Sequence, residues 1–238
     1  MSRRVALVVT CEHGGNEVPP EHAAAFEGAK DILDSHRGYD PGTLELAGEF
    51  AAALAAPLHV ATVSRLVVEL NRSPHHRALF SEFTRGLSTP ARGQLIERHY
   101  RPYRDAVEAR IADVIGAGAV ALHVSVHSFT PVFDGVARRA DVGLLYDPRR
   151  TLERQWCGRW RDALVQRRSD LLIRRNYPYR GVADGFVTHL RRTFSEASYV
   201  GVELEVNQKF PLASGSAWTR LKQDLAQTLA TISRTTSP

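Results

Sequence analysis

The stretch VALVVTCEHGG, residues 5–15, decides the fold, because it joins a strand-like segment directly to a group of reactive side chains. Its first part, VALVVTC, is apolar and rich in β-branched residues, and a Gly-Gly pair closes it. A continuous apolar run that ends at glycine is typical of a buried strand. A turn requires the glycines, but it does not require Cys11, Glu12 and His13 beside them. We therefore interpret the end of this strand as one wall of a candidate site.

Strand-like and helix-like segments alternate along the rest of the chain. Strands are predicted at 58–64, 65–71, 119–129, 140–147, 170–176 and 198–208, and helices at 42–56, 89–118, 151–168, 185–194 and 216–235. This alternation favours a layered α/β architecture. We predict a single three-layer α/β domain over residues 1–238, built around a central mixed, largely parallel sheet.

Composition narrows the class of protein. The 238 residues are 43% apolar and 24% charged, as in soluble globular proteins, and no apolar run reaches the roughly 18 residues that a membrane helix needs. The apolar N-terminal stretch is too short for a signal peptide, and two cysteines fit a reducing compartment, so a cytoplasmic location is expected. The net charge of +5 comes from arginines dispersed among acids, which disfavours a nucleic-acid partner.

The predicted strands end in a recurring set of polar residues. Ligands gather beyond the carboxyl ends of strands in open α/β sheets, so these positions indicate where chemistry takes place. The strand ends carry CEHGG at 11–15, NR at 71–72, HS at 127–128, NYPYRG at 176–181 and EVNQ at 205–208. Taken singly, each is compatible with a capping residue, a turn or a solvent-facing carboxylate. Together they indicate a mononuclear metal hydrolase site with an anion clamp.

Several motifs resemble the N-formylglutamate amidohydrolase family. They are CEHGGNEVP, SHRGYDPG, SRLVVELNRS, HVSVHSFTP, NYPYRGVADG and GVELEVNQ, in the family's order and over roughly residues 8–210. The resemblance implies a zinc-dependent amidohydrolase with the phosphorylase/hydrolase-like α/β fold of zinc carboxypeptidases and aspartoacylase-like enzymes. The chain departs from the family pattern with EHGGN in place of PHSG or PHAG, and with Glu where an Asp usually precedes Leu-Asn-Arg.

One zinc ion is the cofactor that this resemblance implies. A hydrolytic zinc takes three protein ligands and keeps a water, and His13 and His127 are the first two candidates. Asp40 matches an Asp of the family pattern and is favoured as the third ligand. Glu17, in a His-x-x-x-Glu spacing, is the alternative. Asn16 is expected to bond either the ligands or the substrate.

The remaining roles follow from the same resemblance and from side-chain chemistry. Glu205 is the candidate general base, which would take a proton from the zinc-bound water and pass it to the leaving amine. Arg72 is expected to grip a substrate carboxylate with Asn71 beside it. Tyr179 and Arg180 are expected to close over the bound substrate.

The predicted function is hydrolysis of the amide bond of a small N-acyl amino acid, with N-formylglutamate as the family's namesake substrate. A homo-oligomer is compatible with the sequence. His36 and Arg65 are further candidates for the pocket wall, whereas Cys11 lacks an evident partner for nucleophilic catalysis. Two alternatives stay open: a zinc carboxypeptidase-like exopeptidase acting on short peptides, and a non-catalytic protein that binds an anion or nucleic acid in the same cleft.

Overall fold

The structure is a computed structural model and describes residues 4–213 and 215–234. The strands are β1 (Val5–Cys11), β2 (Leu58–Val60), β3 (Val120–Phe129), β4 (Val132–Phe133), β5 (Val136–Ala137), β6 (Val142–Leu145), β7 (Ile173–Arg175) and β8 (Tyr199–Asn207). The helices are α1 (Lys30–Leu33), α2 (Thr43–Leu54), α3 (Thr89–Leu95), α4 (Arg101–Gly116), α5 (Thr151–Arg167), α6 (Phe186–Thr193), α7 (Lys209–Ala213) and α8 (Ser216–Arg234). No helix in these residues is both long and apolar enough to cross a bilayer.

Six of the described strands form one sheet in the order β2-β1-β3-β8-β6-β7. Neighbouring strands are parallel except β6, which runs antiparallel to β8. The predicted mixed, largely parallel sheet is therefore confirmed. The register of β3 and β8 places His127 directly beside Glu205, so that two candidate site residues are cross-strand neighbours. β4 and β5 form a separate hairpin.

Helices cover both faces of the sheet, which confirms the three-layer architecture. On one face α2, α5 and α8 bury large side chains such as Phe50, Trp160 and Leu225 against the strands. On the other face α4 and α6 contribute Val107 and Phe186. Each such side chain stabilises the fold by roughly 1.5–3 kcal/mol when it is withdrawn from water. The site is thus built on strands that are fixed from both sides.

The strand predicted at 65–71 is wrong. Its backbone bonds run locally or to a loop, since the N–H of Val67 donates to Ser64 and that of Glu69 donates to Leu79. The apolar side chains of this segment are buried instead in a smaller cluster with Phe26 and other residues outside the sheet. The segment at 89–118, predicted as a long helix or a helix pair, forms α3 and α4, which are joined by a π-helical turn at Ile96–Tyr100. A 3-10 helix also spans Pro20–Phe26.

Candidate metal centre and catalytic pocket

Two histidines and an aspartate converge at the carboxyl ends of β1 and β3. His13 lies two residues beyond β1, and His127 lies in the adjacent strand β3. The Nδ1 atoms of His13 and His127 lie 3.3 Å and 3.0 Å from Oδ2 of Asp40. All three side chains are buried, and their potential ligand atoms lie within 4.8 Å of one another. The sheet supplies the two imidazoles, and the loop before α2 supplies the carboxylate.

Asp40 is held in place through both its backbone and its side chain. Its backbone N–H donates to the carbonyl of His13 at 3.0 Å, and its own carbonyl accepts from the Thr43 hydroxyl at the start of α2 at 2.7 Å. Arg65 donates to Oδ1 at 3.1 Å, which leaves Oδ2 facing the imidazoles. Burial raises the pKa of Asp40, but His13, His127 and Arg65 outweigh it and hold that pKa well below its ordinary value. The carboxyl is therefore ionised, as a metal ligand must be.

The rear nitrogen of each imidazole also contacts a carboxylate. Nε2 of His13 lies 2.5 Å from Oε1 of Glu69, and Nε2 of His127 lies 3.3 Å from Oε2 of Glu12 and 2.9 Å from the Ser125 hydroxyl. Such outer partners orient a ligating histidine and leave its other nitrogen free for the metal. Two imidazole nitrogens and one carboxylate oxygen are the donor set of a catalytic zinc. The residues present therefore fit one zinc ion.

Glu205 faces this cluster from β8. It is 5% exposed, and its Oε2 has no hydrogen-bond partner within the part of the chain that the structure describes. Burial raises the pKa of Glu205 to about 8; nearby His127 opposes the rise, whereas the Asp40 and Glu203 carboxylates add to it. A buried carboxyl with a free oxygen and a pKa near neutrality has the properties of a general acid–base group.

The cluster opens into a cavity of about 180 Å³, which is polar and lined by His13, Asp40, Arg65, Asn71, Arg72, His127, Ser128, Tyr179, Arg180, Ala183, Asp184, Glu203 and Glu205. The three favoured metal ligands, the candidate base and the four predicted substrate-binding residues therefore line one cavity. Sequence separations of more than 100 residues are bridged by the sheet and by the loops that follow its strands.

Asn71 and Arg72 are held in place by hydrogen bonds to backbone groups. The Asn71 side chain accepts from the backbone N–H of Phe186 at 2.7 Å, which ties this segment to the start of α6. Arg72 donates to the backbone carbonyls of Asp184, at 2.5 Å, and Asn71, at 3.3 Å. Within the described residues Arg72 makes no direct salt bridge, although it lies near enough to the Glu203 carboxyl of the same cavity to act on its pKa, which burial raises. Arg72 is suited to bind a carboxylate.

Tyr179 and Arg180 approach the cavity on the loop at 176–181. The Tyr179 hydroxyl accepts from Arg138 at 3.0 Å, next to the β4–β5 hairpin. Tyr179 remains 44% exposed, so its ring lies at the cavity mouth rather than deep inside. The side chains of Tyr179 and Arg180 thus lie at the rim of the cavity.

Two glycines allow that loop to pack closely on the sheet. A Cβ at Gly143 would lie 2.0 Å from the carbonyl oxygen of Tyr177 and 3.2 Å from the Cβ of Glu205. A Cβ at Gly181 would lie 2.2 Å from the backbone nitrogen of Tyr146. Neither position has room for a side chain, so the height of the loop above the cavity depends on both glycines.

Two residues predicted near the metal lie elsewhere. Glu17 is exposed and accepts from the Thr62 hydroxyl at 2.8 Å, so it does not join the ligand cluster. Asn16 donates to the Asp34 side chain at 2.8 Å and to the Leu33 carbonyl at 3.2 Å, away from the cavity. The segment after β1 turns away because its backbone pairs with residues 61–63.

Of the other residues considered near the first strand and in the pocket wall, Arg65 alone lines the cavity. Cys11 is fully buried, and burial raises its pKa to about 12, so the thiol stays protonated and is not a nucleophile. His36 is exposed and does not line the cavity, whereas Arg65 does. A Cβ at Gly15 would lie 2.5 Å from the Thr62 carbonyl oxygen, so this glycine is required for backbone contact between neighbouring segments.

Sequence reasoning missed the two carboxylates behind the imidazoles, Glu12 and Glu69. In both, charge and hydrogen bonds from neighbouring groups outweigh the effect of burial and lower the pKa, so both are ionised. Arg65 binds Glu69 at 2.6 Å and Asp40 at 3.1 Å, joining the outer and inner carboxylates. Glu69 lies two residues before Asn71, a predicted substrate-binding residue, and this position in the sequence was the available indication that Glu69 lies near the site. For Glu12 the signal was its position directly before His13.

Comparison with known proteins places the chain in a family. The sequence profile described as N-formylglutamate amidohydrolase matches residues 5–211. A gene product of Agrobacterium tumefaciens of known structure is 26% identical, with a TM-score of 0.76 over 97% of this chain and 92% of that chain. An N-formylglutamate amidohydrolase from Ralstonia eutropha JMP134 has the same fold, with 17% identity and a TM-score of 0.74 over 97% and 93% of the two chains. A comparison with curated proteins gave no match. Because the family profile covers most of its length, this chain belongs to the N-formylglutamate amidohydrolase family.

Proposed function

We propose that the protein is a zinc-dependent amidohydrolase that cleaves the amide bond of a small N-acyl amino acid such as N-formylglutamate. The observation that carries this proposal is the placement of Glu205 within the cavity that His13, His127 and Asp40 also line. Family membership supports the amidohydrolase class, and the donor set supports zinc.

His13, His127 and Asp40 would hold the ion through two nitrogens and one oxygen. When bound, zinc supplies polarisation of the scissile carbonyl and acidifies an attacking water. The protein keeps this donor set ready, because Arg65 and the outer carboxylates fix the three side chains. The site also excludes bulk water, since all three ligands are buried.

Glu205 would serve as the general base and then as the general acid. Its free Oε2 accepts a proton from the water that attacks the acyl carbon, and it returns that proton to the departing nitrogen as the C–N bond breaks. The products are the free carboxylic acid and the amine. Each such proton transfer contributes about 10²–10⁴-fold in rate. His127 lies beside Glu205 on the adjacent strand, which fixes the distance between base and metal ligands.

Arg72 would bind a carboxylate of the substrate, and Asn71 and Arg180 would complete its surroundings. Arg72 presents a guanidinium held by backbone carbonyls, so binding an anion there breaks no existing salt bridge among the described residues. A carboxylate held at Arg72 directs the acyl group toward Glu205 and the metal ligands within the same cavity. The free enzyme thus already has the orientation that the reaction requires.

Zinc content and hydrolysis of N-formyl-L-glutamate test this proposal together. The purified full chain should contain one zinc per chain and release formate from this substrate. His13→Ala, His127→Ala and Asp40→Ala should each remove stoichiometric zinc and abolish turnover. Glu17→Ala is the matched control, since Glu17 is exposed and bonds Thr62, and it should retain both. Full activity with no bound metal would contradict the proposal.

The cavity volume favours a small acyl amino acid over a peptide. A volume of about 180 Å³ leaves little space for residues on both sides of a peptide bond. Turnover of short peptides faster than N-formyl-L-glutamate would favour the exopeptidase alternative instead.

A further inference from the structure

Glu12 lies behind His127, outside the cavity, and takes no part in the reaction proposed above. Its side chain is fully buried. Oε1 accepts from the Tyr103 hydroxyl at 3.0 Å, and Oε2 accepts from the Ser125 hydroxyl at 2.7 Å. Oε2 also lies 3.3 Å from Nε2 of His127. Both oxygens of Glu12 therefore have hydrogen-bond partners, and Oε2 lies beside the imidazole of His127.

The charge of Glu12 lacks the balance that the other outer carboxylate has. Glu69 forms a salt bridge with Arg65, whereas within the described residues Glu12 pairs with no lysine or arginine and contacts only the imidazole of His127 as a potential cation. A buried carboxylate is costly unless a positive charge lies near it. A positive charge on the His127 ring, from a proton or from a metal ion held at its other nitrogen, would supply that charge.

The hydrogen bonds around Nε2 also determine which nitrogen of His127 carries the proton. Two acceptors surround Nε2, the Ser125 hydroxyl at 2.9 Å and Glu12 at 3.3 Å, so Nε2 is the nitrogen that would keep its proton when the other nitrogen binds a metal. Asn71 Nδ2 lies at 3.4 Å from the same atom, but it is a donor and cannot accept this N–H. Nδ1 lies on the other side of the ring, 3.0 Å from Oδ2 of Asp40, and a metal ion bound there would take the place of the proton that Nδ1 shares with Asp40.

We propose that Glu12, supported by Tyr103 and Ser125, is a positioning residue that fixes the tautomer and ring orientation of His127 and thereby raises the affinity for zinc. The inference rests on the proposed function, because it assumes that His127 is a zinc ligand. It assigns a role to a residue that touches neither the substrate nor the metal. Outer partners of this kind typically change metal affinity by about 10–100-fold.

Zinc affinity, measured by competition with a chromophoric chelator on the full-length protein, tests this role. Glu12→Gln should weaken zinc binding about 10–100-fold, and Tyr103→Phe should weaken it at least ~3-fold. The same variants in the cobalt-substituted protein should show a shifted visible spectrum. Tyr199→Phe is the matched control, because its buried hydroxyl contacts His123, a histidine that lies outside the cavity. Urea unfolding of the metal-free Glu12→Gln protein should show a cooperative transition, so that a loss of zinc affinity is distinguished from a loss of folding.

The outcomes distinguish a failure of the proposed function from a failure of the positioning role of Glu12. Wild-type protein that binds no zinc overturns the proposed function itself. Wild-type protein that binds zinc, with Glu12→Gln binding it within twofold of the same affinity, overturns the positioning role. If Glu12→Gln does not fold, Tyr103→Phe decides the question, and an affinity and cobalt spectrum matching Tyr199→Phe count against the role.

Discussion

The buried carboxyl of Glu205 yields a prediction that needs neither metal nor substrate. Burial raises its pKa to about 8 from an ordinary value of 4.5. Between these two pH values the folded chain retains a proton that the unfolded chain releases. The stability that this group contributes is therefore complete below pH 4.5 and is lost progressively as the pH rises toward 8. Glu205→Gln removes the titration while keeping the size of the side chain.

The magnitude follows from the separation of the two pKa values. Each pH unit across this window is worth ~1.4 kcal/mol, so wild-type protein should lose up to about 5 kcal/mol relative to Glu205→Gln between pH 4.5 and 8. Asp40, Glu12 and Glu69 have lowered pKa values and titrate in acid. They are present in both proteins, so most of their contribution cancels in the comparison.

The assay is urea unfolding in the presence of a metal chelator, at pH values from 5 to 9, followed by the fluorescence of the buried Trp156 and Trp160. The two proteins should have similar stability at pH 5, and Glu205→Gln should become the more stable by several kcal/mol at pH 9. Glu17→Gln, at an exposed carboxylate, should stay within about 0.5 kcal/mol of wild type throughout. Parallel curves for wild type and Glu205→Gln would refute the inferred environment of Glu205.

Three further predictions concern other parts of the molecule. Arg72→Lys should raise the KM for an N-acyl amino acid at least ~10-fold in steady-state kinetics, because lysine cannot form a bidentate pair with a carboxylate; an unchanged KM would remove Arg72 from substrate binding. Gly15→Ala should lower the free energy of unfolding by about 1–3 kcal/mol, since its Cβ would meet the Thr62 carbonyl at 2.5 Å, whereas Gly86→Ala, with open space around it, should have little effect. Both cysteines are buried with raised pKa values, so a thiol reagent at pH 8 should label the protein only after unfolding.

The sequence predicted the inner part of the site better than its support. His13 and His127 follow or end buried strands, and parallel neighbours bring such positions together whatever their distance in the chain. Asp40 came from family resemblance, because a loop residue has no periodicity that fixes its place. Glu12 and Glu69 lie close in sequence to predicted site residues, but their positions do not show which carboxylate contacts the rear nitrogen of which imidazole. Tertiary packing decides that.

The segment at 65–71 shows the corresponding limit for secondary structure. Its run LVVEL is apolar and β-branched, and most of its side chains are buried, so a strand was a sound prediction. A hydrophobic pattern indicates which side chains are buried, but it does not show which segment the backbone hydrogen-bonds to. Here the N–H of Glu69 bonds the Leu79 carbonyl rather than a neighbouring strand. The short β4–β5 hairpin was not predicted, because its side chains are exposed and give no hydrophobic pattern of a buried strand.

The close packing of the 176–181 loop on Gly143 and Gly181 has a consequence for how substrate range can change. A methyl group at Gly181 would collide with the backbone of Tyr146 and displace the segment that carries Tyr179 and Arg180, whereas the candidate metal ligands lie in other segments of the chain. Gly143 borders Glu205 as well, so a change there would disturb the base. A single substitution at Gly181 would therefore alter the shape of the cavity mouth in this chain without a change in any residue that lines the cavity.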